Sequence, residues 1–260
     1  MPRSLHGGRH ELGQNFLHHR PTLERIALLV ASTSGSILEI GAGGGALTGA
    51  LGVLGRPLTA IDIDEHRVRK LRGKFPGVDV VHADAMTYPL DAAVIVGNVP
   101  FHLTTPLLRR ILSETRWNHA ILLVQWEVAR KRAGVGGSTM MTAQSAPWYV
   151  FHLEGRVGRE CFTPMPSVDG GILRIERRRA PLLPPADEPG YASFARAMFT
   201  GPGGSLHRIL ARTARMNQHR ALGIVRKAGI RPSALPRDLT PEQWVALWYA
   251  AGRKGSPRRG

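Results

Sequence analysis

Ser36-Ile37-Leu38-Glu39-Ile40-Gly41-Ala42-Gly43-Gly44-Gly45-Ala46 reads as a short apolar strand running into a glycine loop that opens a helix. Glycines there permit a tight turn and a close approach of the backbone to a ligand. Working outward, similar apolar runs recur at 58–62, 78–81, 92–96 and 119–124. Amphipathic segments at 22–31, 45–54, 65–75, 105–112 and 127–133 fall between them. Short apolar strands alternating with helices predict βα units and a mostly parallel sheet. Later strands are predicted at 149–157 and 170–175. In such sheets ligands sit beyond the carboxyl ends of the strands, so functional residues are sought just after each strand.

Beyond residue 178 no strand pattern remains. Segments 191–199, 205–213, 218–228 and 241–251 read as helices. Thr240-Pro241-Glu242-Gln243 is a strong helix start, with Thr as cap, Pro in first position and Gln three residues after the cap. Pro181, Pro184, Pro185 and Pro189 read as a linker, because proline removes an amide donor and fixes φ. The expected organisation is an α/β domain over 1–178 and a small all-α domain over 179–260.

Composition narrows the function. With 260 residues, 43% of them apolar and 21% charged, the chain is that of a globular protein. No apolar run reaches the roughly 18 residues of a membrane span, and no secretory signal opens the sequence. One cysteine, Cys161, excludes a disulfide scaffold and a cysteine-based zinc site and fits a cytoplasmic location. The net charge is +16, with 30 arginines against 5 lysines. From residue 176 onward sixteen basic residues face five acidic ones. Such an excess points to a polyanionic partner.

The acids after the strands fit a cofactor with a ribose and an adenine. Asp62 ends the second strand and can accept from both ribose hydroxyls. Asp84, after the third, can accept from an exocyclic adenine amine. These features suit a dinucleotide as well as S-adenosylmethionine. The fourth strand separates the two. It ends in Gly97-Asn98-Val99-Pro100-Phe101. A nucleobase amine is a poor nucleophile because its lone pair is delocalised into the ring. The Asn98 amide oxygen and the Val99 carbonyl would accept from that amine and help localise the pair. Pro100 stiffens the turn, and Phe101 can stack on a flipped-out base. A hydride-transfer enzyme has no need of this tetrad. No nucleophile is required, so Cys161 is read as core, and the histidines show no metal spacing.

With these residues in place, the sequence resembles the rRNA adenine-N6 methyltransferases, most closely the Erm resistance group. The likeness runs through Gly13-Gln14-Asn15-Phe16-Leu17, Leu38 to Gly43, Ile61-Asp62-Ile63-Asp64, Ala83-Asp84 and Asn98 to Phe101. It continues through Gln125 to Lys131 and Phe162 to Asp169. The related small-subunit rRNA dimethyltransferases share the catalytic motifs, but 129–140 and Trp148-Tyr149 look more like the Erm group. The resemblance implies a Rossmann-like, S-adenosylmethionine-dependent domain that releases S-adenosylhomocysteine and uses no metal. It implies that Gln14, Asn15 and Leu17 contact the methionine end, that Gly41 and Gly43 line the cofactor, and that Asp62 takes the ribose. Ile63 would pack on the adenine and Asp84 bind its amine. Asn98, counted with the cofactor ligands as well, and Phe101 would hold the target adenine, with Phe162 helping to form its pocket. Asp62 stands where many relatives carry Glu. The implied partner is 23S rRNA, protein-free or precursor, met by a monomer with no membrane contact. Arg130, Lys131 and Arg132 on one predicted helix, and Arg208, Arg212 and Arg215 on one face of another, are the expected phosphate contacts.

Overall fold

The computed structural model describes residues 15–252. The elements follow the chain as β1 (Phe16–Leu17), α1 (Arg20–Ala31), β2 (Ile37–Ile40), α2 (Ala46–Gly52), β3 (Leu58–Asp62), α3 (Glu65–Lys74), β4 (Asp79–His82), β5 (Val94–Asn98), α4 (Thr104–Ser113) and β6 (His119–Gln125). Then come α5 (Trp126–Arg132), α6 (Met140–Ser145), β7 (Tyr149–Val157), β8 (Phe162–Thr163) and β9 (Gly170–Arg177). The chain ends with α7 (Glu188–Thr200), α8 (Leu206–Thr213), α9 (Gln218–Lys227) and α10 (Pro241–Ala250).

Seven strands form one sheet in the order β4-β3-β2-β5-β6-β9-β7. Strands β2 to β6 run parallel, and β9 returns antiparallel to β6. Parallel strands are covered on both faces, which explains why β2 reads as a continuous apolar run and is buried at all four positions. The chain moves outward from β2 to β3 and β4, then returns to β5 on the other side of β2. The crevice between the ends of β2 and β5 is therefore the topological switch point, where open sheets bind ligands. Close approach there is enforced by Gly97. A Cβ on that residue would lie 2.5 Å from the Ile40 carbonyl oxygen, so only glycine lets β5 draw up to β2.

The predicted strands and the long helices are all present. Four features differ from the sequence reading. The pair β1–β8, joining Phe16 to Thr163 and Leu17 to Phe162, was not foreseen, because two-residue strands carry no periodicity. Helix α6 was also missed; its six residues are too short for a pattern.

The third difference concerns domains. The chain divides into two compact units, one of the described residues up to Ala129 with His152–Glu176, the other of Arg130–Phe151 with the described residues from Arg177 onward. Arg130–Phe151, assigned by sequence to the first domain, thus belongs with the helices. The reason is local: α6 packs on α7, and the Tyr191 hydroxyl donates to the Ala143 carbonyl at 2.8 Å. An aromatic core holds this unit, with Tyr191 edge-on to Trp148 and Trp248 at centroid distances of 5.6 and 6.0 Å. The predicted capping box of α10 is present, with Thr240 N–H to Gln243 Oε1 and Gln243 N–H to Thr240 Oγ1.

Fourth, the proline-rich stretch is not a free linker. Leu183 is buried, the Leu182 amide donates to the Pro147 carbonyl at 2.9 Å, and Pro189 stands in the first turn of α7. No helix among the described residues is long and apolar enough to cross a membrane.

Candidate active site

Two adjoining hollows in the first unit share Gly41, Asp62 and Pro100 and form one cleft at the switch point. One is lined by Asn15, Phe16, Gly43, Asn98, Val99 and Phe101. The other, about 270 Å³, is lined by Ile63, Asp84, Met86 and Leu103 among others. The residues nominated after strands one to four therefore converge, as parallel strands ending side by side require.

The glycine loop is shaped by Asp62. This carboxylate is buried, and its Oδ2 accepts from the Gly43 amide at 2.7 Å while Oδ1 accepts from the Asp64 amide at 2.9 Å. Gly43 has φ of +55°, and a Cβ there would press on the Phe16 ring at 3.0 Å. Phe16 is in turn held under the Arg67 guanidinium, 4.4 Å from the ring centroid. Asp64 caps α3 and pairs with Arg67 at 3.0 Å. Phe16 carries no site role in the sequence reading; its aromatic character among polar neighbours is the signal that points to it.

Asn98 is the best-defined side chain of the site. Its Nδ2 donates to the Asn15 carbonyl at 2.6 Å. A carbonyl can only accept, so the amide nitrogen must face Asn15, and Oδ1 is the atom left for another donor. Val99 lines the cleft although its side chain is 2% exposed, so its contribution there is mainly backbone. Phe101 begins a short 3-10 turn and is half-buried on the cleft wall.

In the second hollow Ile63 is 52% exposed and lines the wall together with Met86 and Leu103. Asp84 uses Oδ1 to hold the Met86 amide at 2.8 Å, so it shapes its own loop as well as lining the hollow. Glu39 lies behind the loop. Burial, with Asp62 nearby adding repulsion, pushes its carboxyl up to about 8. Its Oε2 is buried without a partner.

Not every nominated residue reaches the cleft. Gln14 lies outside the described residues. Leu17 is 5% exposed in the core and lines only a neighbouring hollow that shares Phe16, Gly41, Gly43 and Asn98. Phe162, expected at a target pocket, is 2% exposed within the core, pairs with Leu17 and packs on Gly170. It braces β1 rather than lining the cleft. Cys161 joins the same core, and burial raises its thiol, with Glu160 adding to the effect.

In the other unit Lys131 is exposed, Arg130 and Arg132 are half-buried, and Arg132 donates to Thr139 Oγ1 at 2.7 Å. Arg208 and Arg212 are exposed on α8. Arg215 does not share their face, because α8 ends at Thr213 and Arg215 has φ of +51°. The Met216 amide bonds back to Ala211 and the Arg215 amide to Arg212, a Schellman closure that places Arg where glycine is usual.

The mostly parallel sheet with its glycine loop and acids at the switch point, together with Asn98-Val99-Pro100-Phe101 after β5 in the same cleft, is that of a Rossmann-like, S-adenosylmethionine-dependent methyltransferase. Residues 5–249 match the ribosomal RNA adenine dimethylase family, and the chain belongs to that family. It is 51% identical over 246 residues to the mycinamicin-resistance protein MyrB of Micromonospora griseorubida, covering 93% of this chain and 78% of that one. It is 48% identical over 209 residues to an rRNA adenine N-6-methyltransferase of Corynebacterium diphtheriae, covering 79% and 83%. The crystal structure of the 23S rRNA methyltransferase ErmE superposes with a TM-score of 0.82 at 33% identity, over 91% of this chain and 99% of that one.

The cleft fits the methyl donor this fold binds. The hollow lined by Ile63, Met86 and Leu103 suits a flat apolar ring such as adenine, and the Asp84 carboxylate on the same wall can accept from the ring's amine. A pH prediction follows from Glu39. Its carboxyl stays protonated in the folded chain up to about pH 8, against an ordinary value of 4.5. Between those values unfolding releases a proton, so stability falls as pH rises through the window. Glu39→Gln is neutral throughout and is expected to flatten that fall and to be the more stable form at pH 8, by an amount on the order of a few kcal/mol. Thermal melts of both proteins from pH 5 to 8 test this; parallel curves would refute it.

Proposed function

We propose that the chain transfers methyl groups from S-adenosylmethionine to the N6 amine of one adenine in the peptidyl-transferase loop of 23S rRNA, giving macrolide, lincosamide and streptogramin B resistance. The reading is carried by one observation. Asn98 is fixed by Asn15 so that its amide oxygen is the free acceptor at the switch point, on the same wall as Phe101 and within the cleft that Asp62 and the glycine loop shape.

When bound, the cofactor supplies an activated methyl on a sulfonium. The chain's part is placement. Asp62 and Ile63 would hold the ribose and the adenine, Asp84 the adenine amine, and Asn15, Gly41 and Gly43 the methionine end. Asn98 Oδ1 and the Val99 carbonyl would accept the two N–H groups of the target amine and hold its lone pair toward the methyl. Phe101 would stack on the flipped-out base and keep it in line. Catalysis by orientation needs neither a strong base nor a metal. The proton lost after transfer passes to solvent.

The substrate is read as 23S rRNA free of ribosomal protein, bound by a monomer in the cytoplasm. Arg130, Lys131, Arg132, Arg208 and Arg212 would engage phosphates, and affinity should fall steeply with salt.

Phe101→Ala is expected to cut kcat/KM about 100-fold, while Phe101→Trp keeps most of it, because stacking is worth about 1–3 kcal/mol per base and needs only an aromatic face. Single-turnover rates on a short RNA hairpin measure this, and equal activity of the Ala and Trp variants would refute stacking. The function itself is tested by tritiated methyl transfer to protein-free large-subunit RNA and, in parallel, to small ribosomal subunits. Label at one adenine of the large-subunit RNA is expected. Label confined to small subunits would reassign the protein to ribosome assembly, and no label on either would leave an RNA-binding factor without activity.

A further inference from the structure

The helical unit holds a second concavity, about 500 Å³, lined wholly by its own residues, of which only Arg132 is among the phosphate contacts proposed above. Four arginines reach its wall, Arg132, Arg178, Arg231 and Arg237, against one carboxylate, Asp238. Asp238 is already engaged. Its Oδ2 accepts from the Leu235 amide at 2.9 Å, and its Oδ1 lies 3.8 Å from Arg237 Nε. Two of the arginines are half-buried and pre-set: Arg132 donates to Thr139 Oγ1, and Arg178 Nε donates to the Ala146 carbonyl at 3.0 Å. The bond of Arg178 to a carbonyl leaves its charge in place. The wall also includes Thr240 and Pro241 at the start of α10, the positive end of that helix.

Trp244 completes the pocket. It is 1% exposed, and its indole N–H is buried without an acceptor. A buried donor left unpaired is costly unless something else supplies the acceptor. Guanidinium groups held in place select phosphate oxygens. A buried aromatic N–H selects a ligand that brings an acceptor into an apolar recess. The volume lies within the range of small-ligand sites. The ligand class that carries both a phosphate and a flat ring edged with acceptors is a nucleotide.

We infer that this pocket binds one nucleotide of single-stranded RNA, its phosphate against the arginines and a base acceptor at the Trp244 indole. A free ribonucleotide offers the same chemistry. The strand is favoured because residues 176–260 carry sixteen basic against five acidic residues, which suits a polyanion rather than a single phosphate. The identity of that strand rests on the proposed RNA methyl transfer; the ligand class does not.

The test uses the full chain with its five tryptophan indoles labelled with nitrogen-15. Trp244→Phe assigns the Trp244 signal. The protein is titrated separately with a pentaribonucleotide, a ribonucleoside 5′-monophosphate and inorganic phosphate. The pentaribonucleotide is expected to shift the Trp244 indole resonance saturably. The double variant Arg231→Ala/Arg237→Ala, both exposed positions, should weaken that binding at least tenfold with S-adenosylmethionine affinity unchanged. A monophosphate that binds as tightly as the oligomer would keep the pocket and make a free nucleotide its ligand. Three results would overturn the inference: no shift with any probe, the same shift with inorganic phosphate alone, or undiminished affinity in the double variant. No methyl donor is present, so failure here leaves the methyl-transfer reading standing, and failure of the labelling experiment leaves this pocket untouched.

Discussion

Asn98→Ala is expected to abolish methyl transfer, by about 1,000-fold or more in kcat, and to leave cofactor binding nearly intact. Removing one aligned polar group from a transition state costs about 100- to 1,000-fold, and loss of the near-attack geometry adds to it. The cofactor keeps its principal partners, because Asp62 and the glycine loop are anchored without Asn98. Asn98→Asp sharpens the argument. A carboxylate has the acceptor oxygens but cannot donate to the Asn15 carbonyl, which lies 2.6 Å from Nδ2. Two oxygens would face each other there, and the side chain would turn away. Both variants are therefore expected to bind S-adenosylmethionine with near-normal affinity by calorimetry and to label RNA poorly. Normal turnover by the alanine variant would remove Asn98 from the reaction. Full activity of the aspartate variant would show that its orientation by Asn15 is unimportant.

The sequence made the sheet legible because the central parallel strands β2, β5 and β6 are buried almost throughout and β2 to β5 each run into a residue with a distinct chemical task. Gly41, Asp62, Asp84 and Asn98 could be placed at one edge of the sheet by counting strands alone. Contacts between distant segments were harder to read. Nothing in Phe162 distinguishes an aromatic on a pocket wall from one buried behind it, and pairing with Leu17 decides the matter. Arg215 follows Arg208 and Arg212 at helical spacing, yet α8 ends two residues earlier and Arg215 falls in the left-handed region. Periodicity shows which face a residue takes while a helix lasts, and not where the helix stops. Arg178, Arg231, Arg237 and Trp244 are dispersed over 67 positions of the chain, so the pocket they line carries no sequence pattern at all.

The same dependence on hidden hydrogen bonds makes Asp62 the second position of large effect. Its most legible role is a carboxylate for ribose, and replacement by alanine should weaken the cofactor for that reason alone. The structure adds a second cause. Both carboxylate oxygens already hold backbone amides, Gly43 at 2.7 Å and Asp64 at 2.9 Å. Asp62→Asn nearly preserves shape, but its NH2 group would oppose one of those amides, leaving a buried donor unpaired at about 1–3 kcal/mol. The asparagine variant should thus lose affinity almost as severely as the alanine variant, on the order of 100-fold for about 2.7 kcal/mol. If the loss comes from loop shape and ribose contact, S-adenosylmethionine and S-adenosylhomocysteine weaken together, because the two share those parts. If it came instead from attraction between the carboxylate and the sulfonium charge, only the methyl donor would weaken. Calorimetry with both ligands on wild type and Asp62→Asn separates the causes. Parallel losses are expected, and a loss confined to the methyl donor would overturn the assignment of Asp62 to loop and ribose.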